Sequence, residues 1–258
     1  MLISKHNIKK GNIIMFSNYS PAEKIVMPVA LIVIIVTGVF LGSILRKKSD
    51  KIKNIPLTII AVTLIVLEVI KQVRAVVTNS WSPWLLPVHF CSALIFWFAF
   101  AQFSKGELKQ TGYACALSAG VLMTVMFYLN PSSIIGDSCS NPLLDFGTFH
   151  TFTFHFLAVT YTIWLMCLNL YKPKFKHIWQ VVLFFVFYFI LIISCAYIFN
   201  TNYTNALYSN IPFMETFRLS AGQVWYTIAM IAFGLGAVSG FTTLYCLLYK
   251  GLNKLRKR

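Results

Sequence analysis

The chain has 258 residues, of which 58% are hydrophobic and only 11% are Asp, Glu, Lys or Arg, against about 25% charged residues in soluble domains. This composition, with several apolar stretches near 20 residues long, excludes a soluble globular protein and predicts an all-α, polytopic transmembrane helical bundle. The net charge of +15 does not indicate nucleic-acid binding, because the basic residues lie in short segments between the apolar stretches.

Seven transmembrane helices are predicted in chain order. Each is near the roughly 20 residues needed to cross a hydrocarbon core of about 30 Å. Pro56 opens the second helix, Pro83 and Pro87 flank the start of the third, and Asn130-Pro131 ends the fourth. The predicted helices cover residues 25–45, 55–77, 84–103, 111–131, 150–171, 178–199 and 225–249. The chain therefore divides into a polar segment (1–24), a transmembrane domain (25–249) and a basic tail (250–258).

Basic residues alternate from loop to loop. Lys and Arg are frequent in 46–53, 105–109, 172–176 and 250–258, whereas the loops between these segments contain Arg218 alone. The positive-inside rule then predicts that the odd loops and the C-terminus are cytoplasmic, with the N-terminus outside. Lysines before residue 25 disagree with this orientation, and a translation start at Met15 would remove most of them.

Small residues recur every four positions in two of the predicted helices, a spacing that favours close packing of helices in lipid. They are Gly112, Ala116 and Gly120 in the fourth helix and Ala232, Gly236 and Gly240 in the seventh. The expected partners are membrane lipids, with anionic lipid at the cytoplasmic face, and the chain is a candidate homo-oligomer. We expect a multi-pass protein of the cell membrane that requires no cofactor or metal.

The ionisable residues of the predicted helices lie at one level, in the outer half of the membrane. Helical rise places Glu68 about 13 Å deep, and His89 and His155 about 8 Å deep. A charge at the bilayer centre costs about 2.5–3.5 kcal/mol on insertion scales, so this layer indicates a functional site. Glu68 and Lys71 are three residues apart and can neutralise one another, which also permits a purely structural ion pair.

A histidine and a cysteine stand close together in the third predicted helix. Such a pair suggests a thiol nucleophile with an imidazole base. Residues i and i+2 of a regular helix point about 200° apart, however, so the base for Cys91 would come from another helix and not from His89. His155 is the candidate for that base, whereas His150 lies at the interface and is compatible with simple solvation. For Cys91 itself, a buried apolar filler of helix packing is the favoured interpretation.

The sequence LPVHFCS (residues 86–92) resembles the LPLHLCS-like segment of the YwaF-like bacterial integral membrane proteins. The helix of His155, the stretch TNY (201–203) and the acidic position of Glu68 are similar to features of that family. The family is grouped with a vertebrate transmembrane family thought to be acyltransferases that move fatty acyl chains onto ether lysophospholipids. The resemblance therefore implies lipid modification by Cys and His inside the membrane. The vertebrate segment has Cys directly before the His, where this chain has Val88, so the resemblance extends to the histidines more than to the thiol.

The favoured interpretation is a membrane-embedded acyltransferase that moves fatty acyl chains to or between (lyso)phospholipids. His89 or His155 would act as base, Cys91 or no covalent residue would carry the acyl group, and Glu68 would orient a histidine. The expected ligands of the lipid phosphate are Lys71, Arg74 and Arg218.

Two other functions use the same polar layer. A small-solute transporter or membrane-embedded binding protein is the alternative, although the charges lie in the outer half only and no polar path is predicted to continue to the cytoplasm. A non-catalytic scaffold is the third, but polar contacts between membrane helices average only about 0.6 kcal/mol and explain such a cluster poorly.

Overall fold

A computed structural model describes residues 19–209 and 211–255, whose regular structure is entirely helical, as the composition predicts. The segment before residue 19, with Met15, and residues 256–258 of the basic tail lie outside the described residues. The α-helices are α1 (Pro21–Leu45), α2 (Asp50–Val77), α3 (Phe90–Phe103), α4 (Gly106–Leu129), α5 (Ser132–Ile135), α6 (Phe146–Cys167), α7 (Lys176–Ile198), α8 (Pro212–Ala221) and α9 (Gln223–Leu255).

Five helices of the described chain are long and apolar enough to cross a membrane: α1, α2, α4, α7 and the part of α9 over Gln223–Gly251. The other two predicted spans differ in character. Helix α6 has 22 residues, but its threonines and histidines lower its mean hydropathy. Helix α3 is apolar and only 14 residues long.

The predicted third helix, 84–103, begins too early. Pro83–Leu85 forms a single 3₁₀ turn, and Leu86 then has extended backbone (ψ 140°), because the ring of Pro87 disfavours helical backbone in the residue before it. His89 is also extended (ψ 147°) and is the N-cap residue of α3. His89 therefore does not lie one turn inside a helix, and the angular argument that separated it from Cys91 does not apply.

Helix α4 forms the middle of the bundle and packs through its small residues. A Cβ added to Gly112 would lie 2.7 Å from Cα of Ala101 in α3, and one added to Gly120 would overlap Thr162 of α6. Close packing is therefore confirmed for α4. In α9, no atom of the described chain lies within 4 Å of a Cβ added to Gly236 or Gly240, so the same spacing is not used there.

Ion pairs define one end of the bundle, which we call the lysine end. Glu107 accepts from Lys174 and Lys176 at 2.6 Å each, and Asp50 lies 3.7 Å from both Lys53 and Lys172. These pairs bring the first, third and fifth loops together, in agreement with the alternation of basic residues. At the opposite end, the histidine end, α2 and α7 finish while α3 and α6 begin.

Candidate functional site

The carboxylate of Glu68 is the centre of a buried polar cluster at the histidine end. Its side chain is 6% exposed, and its Oε2 atom lies 2.8 Å from Nζ of Lys71. Gln72, one turn further along α2, donates from Nε2 to Oε1 of Glu68 at 2.7 Å. The predicted ion pair of Glu68 and Lys71 therefore forms, and both carboxylate oxygens have a partner on the same helix.

Gln72 connects this carboxylate to the non-helical segment before α3. Its Nε2 atom also donates to the carbonyl of Leu85 at 2.6 Å, and its Oε1 atom accepts from Nε1 of Trp81 at 3.1 Å. Glu68 is thereby held in register with the segment that carries His89.

His150 also belongs to the cluster, although the sequence places it at the interface, where it could equally be solvated. It is 8% exposed, it stacks on Phe154, and its Nε2 atom lies 3.9 Å from Oε2 of Glu68. The misplacement follows from the predicted start of the helix at residue 150. Helix α6 begins four residues earlier because Asp145 caps it, accepting from the backbone N–H of Thr148 at 3.0 Å. The spacing of Asp145 and Thr148 in the sequence could have predicted this earlier start.

His155 is fixed in one tautomer by its own helix. Its Nδ1 atom lies 2.7 Å from the carbonyl oxygen of Thr151. A carbonyl can only accept, so Nδ1 carries the proton and the Nε2 atom of the neutral ring is a free acceptor. The ring stacks on Phe127 at 5.6 Å and is 8% exposed. This Nε2 atom is therefore a suitable general base.

His89 lies between two aromatic rings at the N-terminus of α3. The ring centroids of Trp84 and Tyr203 are 4.3 Å and 5.0 Å from its own, both in edge-to-face geometry. His150 and Lys71 both lie against Oε2 of Glu68. Gln72 bonds both Glu68 and the carbonyl of Leu85, which places His89 four residues along the chain from this carboxylate's network.

Unsatisfied nitrogen atoms make this cluster a candidate binding site. The Nε2 atoms of His89, His150 and His155 are each buried and make no hydrogen bond within the described residues. Buried polar atoms are nearly always hydrogen-bonded in native proteins, so each such atom requires an explanation. A polar ligand that reaches these atoms would supply the missing partners.

Cys91 lies on the second residue of α3 as a free, half-buried thiol. Within the described chain, Cys91 makes no hydrogen bond to any of the three histidines of the cluster. The predicted pairing of Cys91 with His155 is therefore not formed in this conformation.

The three cationic residues predicted to bind phosphate occupy different environments. Lys71 lies inside the cluster. Arg74 is exposed, and its guanidinium lies 4.9 Å from the centre of the Phe146 ring. Arg218 makes two hydrogen bonds to Glu215, at 2.9 Å and 2.5 Å, so its charge is neutralised within α8. Only Lys71 contacts the cluster.

The model of the TMEM164 family matches residues 17–242, which is most of the chain and includes every residue of the cluster. The chain belongs to the TMEM164 family. It is a multi-pass membrane protein, as both the family and the apolar helices show. No curated protein and no solved structure matches the sequence.

The cluster of this TMEM164-family chain combines the groups that acid–base chemistry requires. Two imidazoles, of His89 and His155, present unoccupied Nε2 atoms, and a third, of His150, adjoins the carboxylate of Glu68. Lys71 adds a positive charge in surroundings of low dielectric constant, where it acts more strongly than in water. Such a site can deprotonate a hydroxyl and stabilise an oxyanion.

Proposed function

We propose that this protein transfers fatty acyl chains to or between (lyso)phospholipids of a cell membrane, at the histidine end of the bundle. The main support is the state of His155. Its Nδ1 atom donates to the carbonyl of Thr151, so its buried Nε2 atom is an acceptor without a partner among the described residues. The resemblance of residues 86–92 to a group linked with acyltransferases supports the same activity.

Direct transfer requires one base and no oxidant. The hydroxyl of a lysophospholipid attacks the ester carbonyl of a donor lipid, and Nε2 of His155 takes the hydroxyl proton. The bond from the carbonyl carbon to the donor oxygen then breaks, and the same proton passes to the departing alkoxide. One ester forms and one is broken. The ammonium of Lys71 would stabilise the oxyanion of the tetrahedral intermediate, and His89 is the alternative base.

A route through Cys91 requires one more step. The thiol would first take the acyl group as a thioester and release the donor alcohol, and the lysophospholipid hydroxyl would then displace the sulfur. Because Cys91 is not hydrogen-bonded to a histidine in the described chain, direct transfer is the simpler mechanism. Replacement of Cys91 by Ala separates the two routes.

An apolar groove between α3 and α7 provides a place for the acyl chain. Its volume is about 220 Å³, and its walls are entirely apolar side chains and aromatic rings. Tyr188 lines the groove and donates a hydrogen bond to the carbonyl of Val88 at 3.1 Å. One wall of the groove is therefore bonded to the residue next to His89. It is lined by Ala93, Phe96, Trp97, Phe184, Phe187, Tyr188 and Leu191.

The activity is tested with purified protein in liposomes that contain a lysophospholipid and a phospholipid with isotopically labelled acyl chains. Mass spectrometry then measures labelled product. We expect His155→Asn to abolish transfer, because the Asn amide can still donate to Thr151 but offers no base at the position of Nε2. His177→Asn, at the lysine end, is the matched control and should retain activity. If the wild type forms no labelled product, the proposal is wrong.

One observation favours solute transport as a second candidate. Neutral polar groups are buried near the lysine end, where Thr58 donates to Gln102 at 2.9 Å and Gln102 donates to Tyr161 at 2.5 Å. The inward face of α2 therefore carries polar groups near both of its ends. Fully buried Leu64 and Phe98 lie in the core between them. Uptake by proteoliposomes of a solute, with no change in any lipid, would favour transport.

A further inference from the structure

The loop between α7 and α8 contains an unusual backbone conformation. Thr204 has φ +49° and ψ +37°, and Asn205 has φ +61°, so two consecutive residues are in the left-handed region. A β-branched residue rarely adopts positive φ, because its Cβ substituents crowd the backbone. Such residues persist only where their surroundings hold them in place, and they cluster at functional sites.

The loop is held from two sides. Its own Asn202 accepts from the backbone N–H groups of Leu207 and Tyr208, at 2.8 Å and 3.2 Å. From α9, Gln223 donates to the carbonyl of Ala206 at 3.0 Å, and the hydroxyl of Tyr226 donates to the carbonyl of Asn205 at 2.5 Å. The two bonds to Asn202 close the loop on itself, and the two from α9 hold it in place. The side chain of Thr204 then points to α3.

The hydroxyl of Thr204 caps α3. Its Oγ1 atom accepts from the backbone N–H of Phe90 at 2.9 Å, across 114 residues of sequence. His89, the N-cap residue of α3, makes no side-chain cap of its own. Caps of this kind normally come from the residue that precedes the helix. Here the bond fixes the peptide that joins His89 to Phe90.

Tyr203 completes the contact on the side chain of His89. Its ring is fully buried and lies 5.0 Å from the imidazole, and its hydroxyl donates to the carbonyl of Pro83. Backbone and ring of His89 are thus both held by adjacent residues of one strained loop, which is itself anchored on α9.

We propose that Thr204 and Tyr203 are positioning residues for His89: the hydroxyl of Thr204 sets the backbone at the start of α3, and the ring of Tyr203 sets the angle of the imidazole. The assignment rests on the proposed function only in taking His89 as a group that acts on substrate. The orientation of His89 then depends on the packing of α7, α8 and α9, although His89 belongs to none of them.

Three substitutions at Thr204 separate the cap from the strain. Thr204→Val keeps the branched shape and removes the hydroxyl, Thr204→Gly removes both the hydroxyl and the strain, and Thr204→Ser keeps the hydroxyl. The readout is hydrogen–deuterium exchange of peptides from residues 86–92 in the full-length protein. We expect the Val and Gly variants to exchange about fivefold faster there, the size of effect that loss of a helix cap gives, and the Ser variant to match the wild type.

A second pair of variants tests Tyr203. Tyr203→Phe keeps the ring against His89, whereas Tyr203→Leu removes it. The liposome assay is run as a function of pH for both. We expect Tyr203→Leu to lower the maximal rate at least tenfold without a matching change in KM, and to shift the pH profile, because the imidazole is no longer held in position. Tyr203→Phe should retain the wild-type profile.

Hydrogen–deuterium exchange and the liposome assay can disprove the two proposals separately. If exchange of residues 86–92 is unchanged in Thr204→Val, or is as fast in Thr204→Ser as in Thr204→Gly, then Thr204 does not hold the start of α3 and the inference is wrong. If the wild type transfers no acyl chain but the exchange pattern appears as expected, the positioning of His89 stands and the acyl-transfer proposal alone fails.

Discussion

His150 and Glu68 face each other across the contact of α6 with α2, with Nε2 and Oε2 3.9 Å apart. Because Lys71 occupies the same carboxylate oxygen at 2.8 Å, the carboxylate is shared between a permanent cation and a group that can become one. A substrate proton transferred to this imidazole would be stabilised by Glu68, and the carboxylate would remain paired to Lys71 throughout. The arrangement gives the site a place for positive charge without opening a buried ion pair.

The first prediction concerns this ion pair. Glu68→Gln leaves the Lys71 ammonium without its partner in the bundle, and breaking a buried pair in this way costs about 3–5 kcal/mol. The double variant Glu68→Gln/Lys71→Met should recover most of that loss, because neither charge is then buried alone. Thermal unfolding in detergent measures both. Additive effects of the two substitutions would contradict the pairing.

Close packing of α4 gives a second prediction. Gly120→Ala puts a methyl group into Thr162, and overpacking of this kind costs about 1–3 kcal/mol. Gly240→Ala on α9 is the matched control, because nothing in the described chain approaches Gly240, and it should leave the melting temperature unchanged. The compensating variant Gly120→Ala/Thr162→Ala should restore stability. Equal destabilisation by Gly120→Ala and Gly240→Ala would show that α9 also packs closely.

A third prediction follows from the pair of Glu215 and Arg218, which lies outside the membrane-spanning helices. Hydrogen bonds from Arg218 lower the pKa of Glu215 below its ordinary value of 4.5. A lowered pKa in the folded state stabilises the protein above the unfolded-state pKa, and the stabilisation disappears as the pH falls through the folded-state value. At pH 7 the free energy of unfolding of the wild type should therefore exceed that of Glu215→Gln by about 0.2–1 kcal/mol, the range for a partly exposed ion pair. Thermal unfolding measures the difference. The difference should shrink as the pH falls below 4.5 and through the lowered pKa of Glu215.

The groove between α3 and α7 gives a fourth prediction. Ala93→Phe fills its floor and should shift the liposome reaction toward short acyl donors, with long-chain transfer reduced at least tenfold. Ala30→Phe fills a comparable groove of about 290 Å³ between α1 and α6 and serves as the matched control. Equal loss for short and long donors in Ala93→Phe would indicate general damage to α3 and not a chain-binding groove.

Much of the architecture can be predicted from residue patterns alone. Apolar length located the helices, and the level of Glu68, Lys71 and His155 identified the polar end of the bundle. The start of α3 could not be read from apolar length, because Pro87 excludes helical backbone before it while leaving the residues apolar. By contrast, Glu215 and Arg218 are three residues apart, the spacing that predicted the pair of Glu68 and Lys71, and the folded helix shows that this second pair also forms.

His150, Tyr203 and Thr204 could not be assigned for a different reason. Burial of His150 depends on Glu68 in another helix, and the role of Thr204 depends on an amide 114 residues away. Local spacing carries no information about either contact. The start of α6 is the opposite case, because its signal is local. Asp145 and Thr148 have the spacing of a helix cap, and that spacing predicts the observed start of the helix.

Helix α3 rises only about 21 Å, so about 9 Å of a hydrocarbon core is left for residues 83–89 to cross without α-helical hydrogen bonds. Non-helical backbone at that depth is tolerated only where protein replaces water. Side chains from three other elements do so: Tyr203 donates to Pro83, Gln72 to Leu85 and Tyr188 to Val88. These hydroxyl and amide groups donate the hydrogen bonds that water would otherwise give to this irregular stretch of chain. The protein can thus hold a histidine on non-helical backbone at a depth where lipid alone would force that backbone into a helix.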